Sequence, residues 1–161
     1  MRKILLAVIL LFFTGCVKET YNMSSNFPTK NTYKIIPFAN LTQTPMAGYK
    51  VAGILEGVLR SKGVSLNGSL WNYEERDYSV EDINDLLKNV NARYIITGYV
   101  NEYRYKTGID GEPAVSVTVK IYDKAKKQYI YVATFSRVGD TYNSVGVLTQ
   151  EGFDNLFKLT K

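Results

Sequence analysis

"AVSVTVKIYD", residues 114–123, decides how this chain folds. Val115, Val117, Val119 and Ile121 occupy every second position, with Ser116, Thr118 and Lys120 between them. Successive side chains of a strand point to opposite faces, so this alternation predicts a half-buried antiparallel strand. Its neighbours extend the pattern. "ARYIITGYVNEYRYK" (92–106) is long and rich in β-branched and aromatic residues, as a strand should be. "GIDGEP" (108–113) supplies Asp-Gly turn chemistry between the two. A lysine-rich turn, "DKAKKQ" (123–128), leads into "YIYVATFSRV" (129–138), the third strand of a meander.

Further out the period changes. Residues 144–159 predict a terminal helix that packs through Leu148, Phe153, Leu156 and Phe157. On the other side, "SVEDINDLLKNV" (79–90) reads as a helix. Ser79 with Asp82 resembles a capping box, and Ile83, Leu86, Leu87 and Val90 form one apolar stripe. A helix over residues 46–62 gathers Val51, Ile54, Leu55, Val58 and Leu59, and Gly63 stops it. Tyr33 to Phe38 predicts a strand that Pro37 confines to an edge, an end or a bulge. "VSLNGSLW" (64–71) fits either a short strand or a hairpin-like segment. The expected fold is therefore α+β: one domain with the order β-α-β-α-β-β-β-α and a mixed sheet. The early strand–helix–strand units give parallel pairing and the later hairpins antiparallel pairing.

The N-terminus has a different grammar. Arg2 and Lys3 precede an apolar run from Ile4 to Phe13. About ten apolar residues suit the centre of a secretory signal and fall short of the roughly twenty that span a bilayer. Thr14 and Gly15 then lead to Cys16, the only cysteine. Phe13-Thr14-Gly15-Cys16 resembles the lipobox of bacterial lipoproteins, with Phe13 standing where an aliphatic residue is usual. That resemblance implies removal of residues 1–15 and lipid attachment at Cys16. Val17, in place of Asp, implies the outer membrane, with the domain facing the periplasm. Residues 16–31 are polar and aperiodic and read as an acylated Cys with a flexible tether, and residues 32–161 as the periplasmic domain.

Composition narrows the chemistry. The net charge of +5 at pH 7 falls to +3 without Arg2 and Lys3, and no basic stripe with interleaved aromatics argues for nucleic acid. Lys124, Lys126 and Lys127 read as a solvated hairpin tip, with lipid headgroups or acidic glycan as the minor alternative. There is no histidine, and an acylated Cys16 would have no free thiol. His- and Cys-based nucleophiles are thereby excluded, and nothing calls for a cofactor or a metal. Glu74, Glu75, Asp77 and Glu102 remain as carboxylates, read as solvated rather than catalytic. The expectation is a protein that is not an enzyme.

Two residue sets stand out as candidate contacts. Gly53 and Gly57 lie four apart on the first helix, away from its aliphatic stripe. They are either tolerated surface residues, a site of close packing within the subunit, or a subunit contact. Tyr99, Tyr103 and Tyr105 share strand parity, as do Tyr129 and Tyr131. Aligned, these rings are either core or a patch for a protein partner or a sugar.

A second resemblance covers roughly residues 33–158. "IIPFANLTQT", "DINDLLKNVNARYIITGYVNEY" and "SVTVKIYDKAKKQYIYVATFS" are similar to the first strand, the helix–strand unit and the next hairpin of the amino-terminal domain of TolB and related lipoproteins. Tyr131 stands near the position where that hairpin usually carries Trp. The group includes LpoB, which activates a peptidoglycan synthase, and CsgG, a secretion pore. The resemblance implies a role in envelope assembly. One reading is a tethered activator whose partner is a peptidoglycan synthase or another envelope protein. The other is a homo-oligomeric scaffold at the outer membrane.

Overall fold

A computed structural model describes residues 18–108 and 111–158. The elements are β1 (Lys18–Met23), β2 (Tyr33–Ile35), β3 (Ala39–Asn40), α1 (Ala47–Ser61), a 3-10 turn (Leu70–Asn72), α2 (Val80–Asn89), β4 (Tyr94–Arg104), β5 (Ala114–Asp123), β6 (Gln128–Val138) and α3 (Val145–Leu156). They form an α+β domain around one mixed sheet, as the alternation at 114–123 predicts. The six-stranded sheet runs β1-β6-β5-β4-β2, with β3 also paired to β4. β2 and β3 lie parallel to β4, whereas β4, β5, β6 and β1 pair antiparallel.

The parallel edge is one strand cut in two. Pro37 has no N–H to give, and the ladder breaks between Ile35 and Ala39. The Pro37 carbonyl instead accepts a hydrogen bond from Thr97 Oγ1 at 2.9 Å. "VSLNGSLW" shrinks to a single bridge, Leu66 beside Tyr33, followed by the 3-10 turn. α2 carries the expected capping box: Ser79 Oγ accepts from Asp82 N, and the Asp82 carboxylate accepts from Ser79 N. Ser144 Oγ caps α3 by accepting from Val147 N.

The sheet has two unlike faces. The inner face packs Ile96, Val100, Val117, Val119, Ile121 and Phe135 against α1 and α3. α3 sits so close to β6 that a side chain at Gly152 would overlap the Phe135 ring, and one at Gly48 on α1 would strike the Phe38 carbonyl. The outer face is covered at one end only, where Ile83 and Leu87 of α2 meet Ile36, Ala39 and Ile95. Beyond α2 it presents hydroxyls: Ser116 bonds Ser136 at 2.8 Å, and Thr118 bonds Thr134 at 2.9 Å.

The expected tether is corrected. Residues 18–23 are not free chain but β1, the edge strand beside β6, so they belong to the folded domain. Five of the six β1 residues are exposed, so no apolar period announces them. Backbone pairing and a few side chains hold the strand. Tyr21 stacks on Phe135 with centroids 6.3 Å apart, and Asn155 donates to the Tyr21 hydroxyl at 3.0 Å. Buried Arg137 reaches Glu19 at 3.3 Å and Glu151 at 2.9 Å, linking β1, β6 and α3. Farther along, Phe27 wedges its ring among Tyr33, Tyr131 and Phe157.

Candidate interaction surfaces

The five singled-out tyrosines do not share a face, and two extra residues are the reason. In β4, Val100 pairs with Val117 but Glu102 already pairs with Ser116, which leaves Asn101 as a bulge. In β6, Tyr131 opposes Ile121 while Tyr129 opposes Tyr122, which leaves Ile130 as a second bulge. Each bulge reverses the side-chain parity beyond it. Tyr103 and Tyr131 therefore turn inward and are buried. Burial pushes the Tyr103 hydroxyl up to about 12, with the neighbouring Tyr105 adding to the shift, and it raises Tyr131 further still. As a binding patch these two are corrected: they are core. Tyr105 lies just past β4 on the Tyr103 side, edge-on to that ring at 5.6 Å and half exposed.

Tyr99 and Tyr129 face outward and gain a companion absent from the sequence reading, Tyr122. Tyr122 and Tyr129 meet edge to face at 5.3 Å. Lys120 lies between the rings, with Nζ 4.3 Å from the Tyr99 centroid and 5.0 Å from that of Tyr129, and it donates to the Tyr99 hydroxyl at 3.1 Å. A cation held over aromatic faces gains about 0.5–2 kcal/mol, so this lysine is a fixed part of the surface. Beside it, an open cleft of about 640 Å³ runs between α2 and the β5–β6 hairpin, past Leu87, Tyr122 and Tyr129. The lysines of the hairpin are not all free. Lys124 Nζ donates to the carbonyls of Lys88 and Val90 at 2.7 Å each and so caps the C-terminus of α2.

Gly53 and Gly57 are exposed on α1. A methyl group at Gly57 would meet nothing within 4 Å, and one at Gly53 only Leu70, at ordinary contact distance. Packing within the domain therefore does not require either glycine. They line a groove of about 430 Å³ with Tyr49, Leu70 and Trp71. Trp71, the only tryptophan, is 88% exposed on the 3-10 turn. Sequence reading passed over it, although a lone Trp within "GSLWN" was a usable signal. Glu56 underlies the groove. Burial disfavours its charge, but bonds from Leu70 N, Arg60 and Ser69 outweigh that and hold its carboxyl below the ordinary value.

Of the candidate carboxylates, Asp77 ties distant segments together. Asp77 accepts from Asn40 Nδ2 at 2.6 Å and from Met46 N at 2.8 Å, fixing the loop that opens α1. Glu74 sits 3.7 Å from Arg76, and Glu102 sits 3.4 Å from Arg104. Among the described residues no group of three or more Asp, Glu, Cys or His is placed to hold a metal ion, and no helix is long and apolar enough to cross a membrane. Cys16 lies outside the described residues.

No protein-family model matches the sequence, and no curated protein sequence does. Solved structures do. A PelC chain from Paraburkholderia phytofirmans, solved as a dodecamer, is similar over 86% of this chain and 94% of its own, at 27% identity and a TM-score of 0.67. The lipoprotein GNA1162 from Neisseria meningitidis is similar over 78% of this chain and 96% of its own, at 14% identity and a TM-score of 0.55. The hypothetical protein CT253 from Chlamydia trachomatis is similar over 79% and 93% respectively, at 13% identity and 0.51. The last two share the fold. The chain thus shares its fold with a bacterial lipoprotein and with a protein solved as a dodecamer.

Proposed function

We propose that this chain is a lipid-anchored protein of the bacterial outer membrane, without catalytic activity, whose periplasmic domains assemble into a closed homo-oligomeric scaffold. The observation that carries the proposal is the likeness to the PelC dodecamer across nearly the whole domain. It favours the scaffold over a monomeric activator of a peptidoglycan synthase, a role that rests on the TolB- and LpoB-like motifs alone. The anchor rests on Phe13-Thr14-Gly15-Cys16 behind a charged start and a short apolar run. Repeated head-to-tail contacts close into a ring when the rotation between copies divides a full turn. Such a contact needs two different patches on one chain. The Trp71 groove and the tyrosine–lysine surface lie on different elements and meet that need.

Light scattering during size exclusion on a soluble form beginning at residue 17 tests the assembly. A single species many times the mass of one chain is expected. A monomer at micromolar concentration overturns the scaffold. Labelling with radioactive palmitate tests the anchor: the wild-type chain incorporates it, and Cys16→Ala does not.

A further inference from the structure

The position of β1 constrains how the domain meets the membrane, given the lipid attachment just proposed. One residue, Val17, separates Cys16 from the first residue of β1. Two residue steps reach at most about 7 Å. An acylated Cys16 therefore brings the Lys18 end of the sheet against the headgroups, without a tether between.

The residues at that end suit such a place. Lys18 pairs with Val138, Val138 with Ala114, and Ala114 with Arg104, so the β4–β5 and β6–α3 loops emerge beside the anchor. The two loops are tied together, with Gly139 N donating to the Pro113 carbonyl and Lys106 Nζ to the Thr141 carbonyl, each at 2.9 Å. From this end project Tyr142 (94% exposed), Leu41 (54%), Tyr105 (48%) and Val147 (46%). Tyr142 is held outward by its turn: its N–H donates to Asp140 Oδ1, and Asp140 N donates to Asn143 Oδ1. Tyrosine rings settle at the headgroup level of bilayers, where one end of the side chain is wet and the other apolar. The charges nearly balance. Lys18, Lys50, Arg104 and Lys106 stand against Glu102, Glu112 and Asp140 at this end. The opposite end of the sheet, about 35 Å away along an eleven-residue strand, is instead tipped by Lys126 and Lys127.

We infer that the end of the domain formed by the end of β4, the β6–α3 loop and the start of α3 is a membrane-apposed face. It seats Tyr142 and Val147 in the headgroup–acyl boundary of the leaflet that holds the Cys16 lipid. The contact is interfacial rather than Coulombic, so it depends neither on anionic lipid nor on salt.

The acylated full-length protein, reconstituted in phosphatidylcholine vesicles, tests this. Acylated Cys16 is not a free thiol, so a bimane label attaches only to an introduced cysteine. Thr141→Cys and Val147→Cys report the proposed face, and Ala125→Cys reports the far hairpin; all three sites leave Tyr142 in place. Lipid carrying a nitroxide near the headgroup should quench the first two several-fold more than the third. The difference should persist in high salt and with added phosphatidylglycerol. Tyr142→Asp should reduce quenching at residue 141 without changing the far-UV circular dichroism. Equal quenching at all three sites, or shielding of residue 141 by a second copy rather than lipid, overturns the inference. The mass of the Cys16 peptide separates the failures. A lipidated peptide with a dry, unquenched Thr141 site rejects this face alone, and an unlipidated one rejects the anchor on which it depends.

Discussion

The two faces of the sheet are built from the same three long strands and do opposite things. Inward, alternate residues of β4, β5 and β6 are Ile, Val and Phe, and two helices seal them. Outward, the intervening residues are Ser, Thr, Lys and Tyr, and α2 covers only one end. Period-two alternation alone would send every odd residue of β4 one way. The bulges at Asn101 and Ile130 overrule it and divide the tyrosines between a core and a surface. In this sheet a single inserted residue decides whether a ring stabilises the fold or is free for contacts.

Substitutions can break or sharpen that contrast. The largest effect belongs to the inner face. Phe135→Ala empties the space between β6 and α3 and should cost about 3–5 kcal/mol in urea unfolding. Gly152→Ala pushes a methyl group into the same ring and should cost about 1–3 kcal/mol. Gly57→Ala, on the open side of α1, should instead stabilise by up to about 1 kcal/mol, since nothing there opposes a methyl group and glycine is a poor helix former. If Gly57→Ala leaves the unfolding midpoint higher yet dissolves the oligomer, that helix face is a subunit contact.

Alkaline titration probes the buried tyrosines. Tyr103 holds its proton more tightly folded than unfolded, so its contribution is complete below about pH 10 and is lost as pH rises toward 12. Stability should fall through that window, and Tyr103→Phe should flatten the fall. Tyr129→Ala should change stability least, by about 1 kcal/mol or less, the scale of an exposed cation–π contact. A loss as large as that for Phe135→Ala would mean the outer face is as tightly packed as the inner one.

Much of this was readable beforehand, for physical reasons. The alternation from Val115 to Ile121 and the Ser79–Asp82 box are local patterns, and local patterns survive folding. Pro37 announced a broken edge because its missing N–H acts wherever it sits. What failed to show were features set by distant partners. β1 is mostly polar and exposed, and only its pairing with a strand more than a hundred residues later makes it a strand. The bulges carry no residue that marks them: Asn101 and Ile130 both fit an unbroken strand. For the same reason Tyr122 and Lys120 were not grouped with Tyr99, since their meeting depends on register rather than spacing.

β1 is also a coiled leash. With a lipid at Cys16, as proposed, the strand zipped to β6 would leave only Val17 as slack between domain and anchor. Peeled away up to β2, the stretch from 17 to 32 would pay out to roughly 50 Å. Since the strand is mostly solvated and grips through one ladder, its amides should exchange with deuterium well ahead of those in β4 and β5. In an anchored chain the altitude of the whole domain above the bilayer would thus hang on the zipper between two strands at the margin of the sheet.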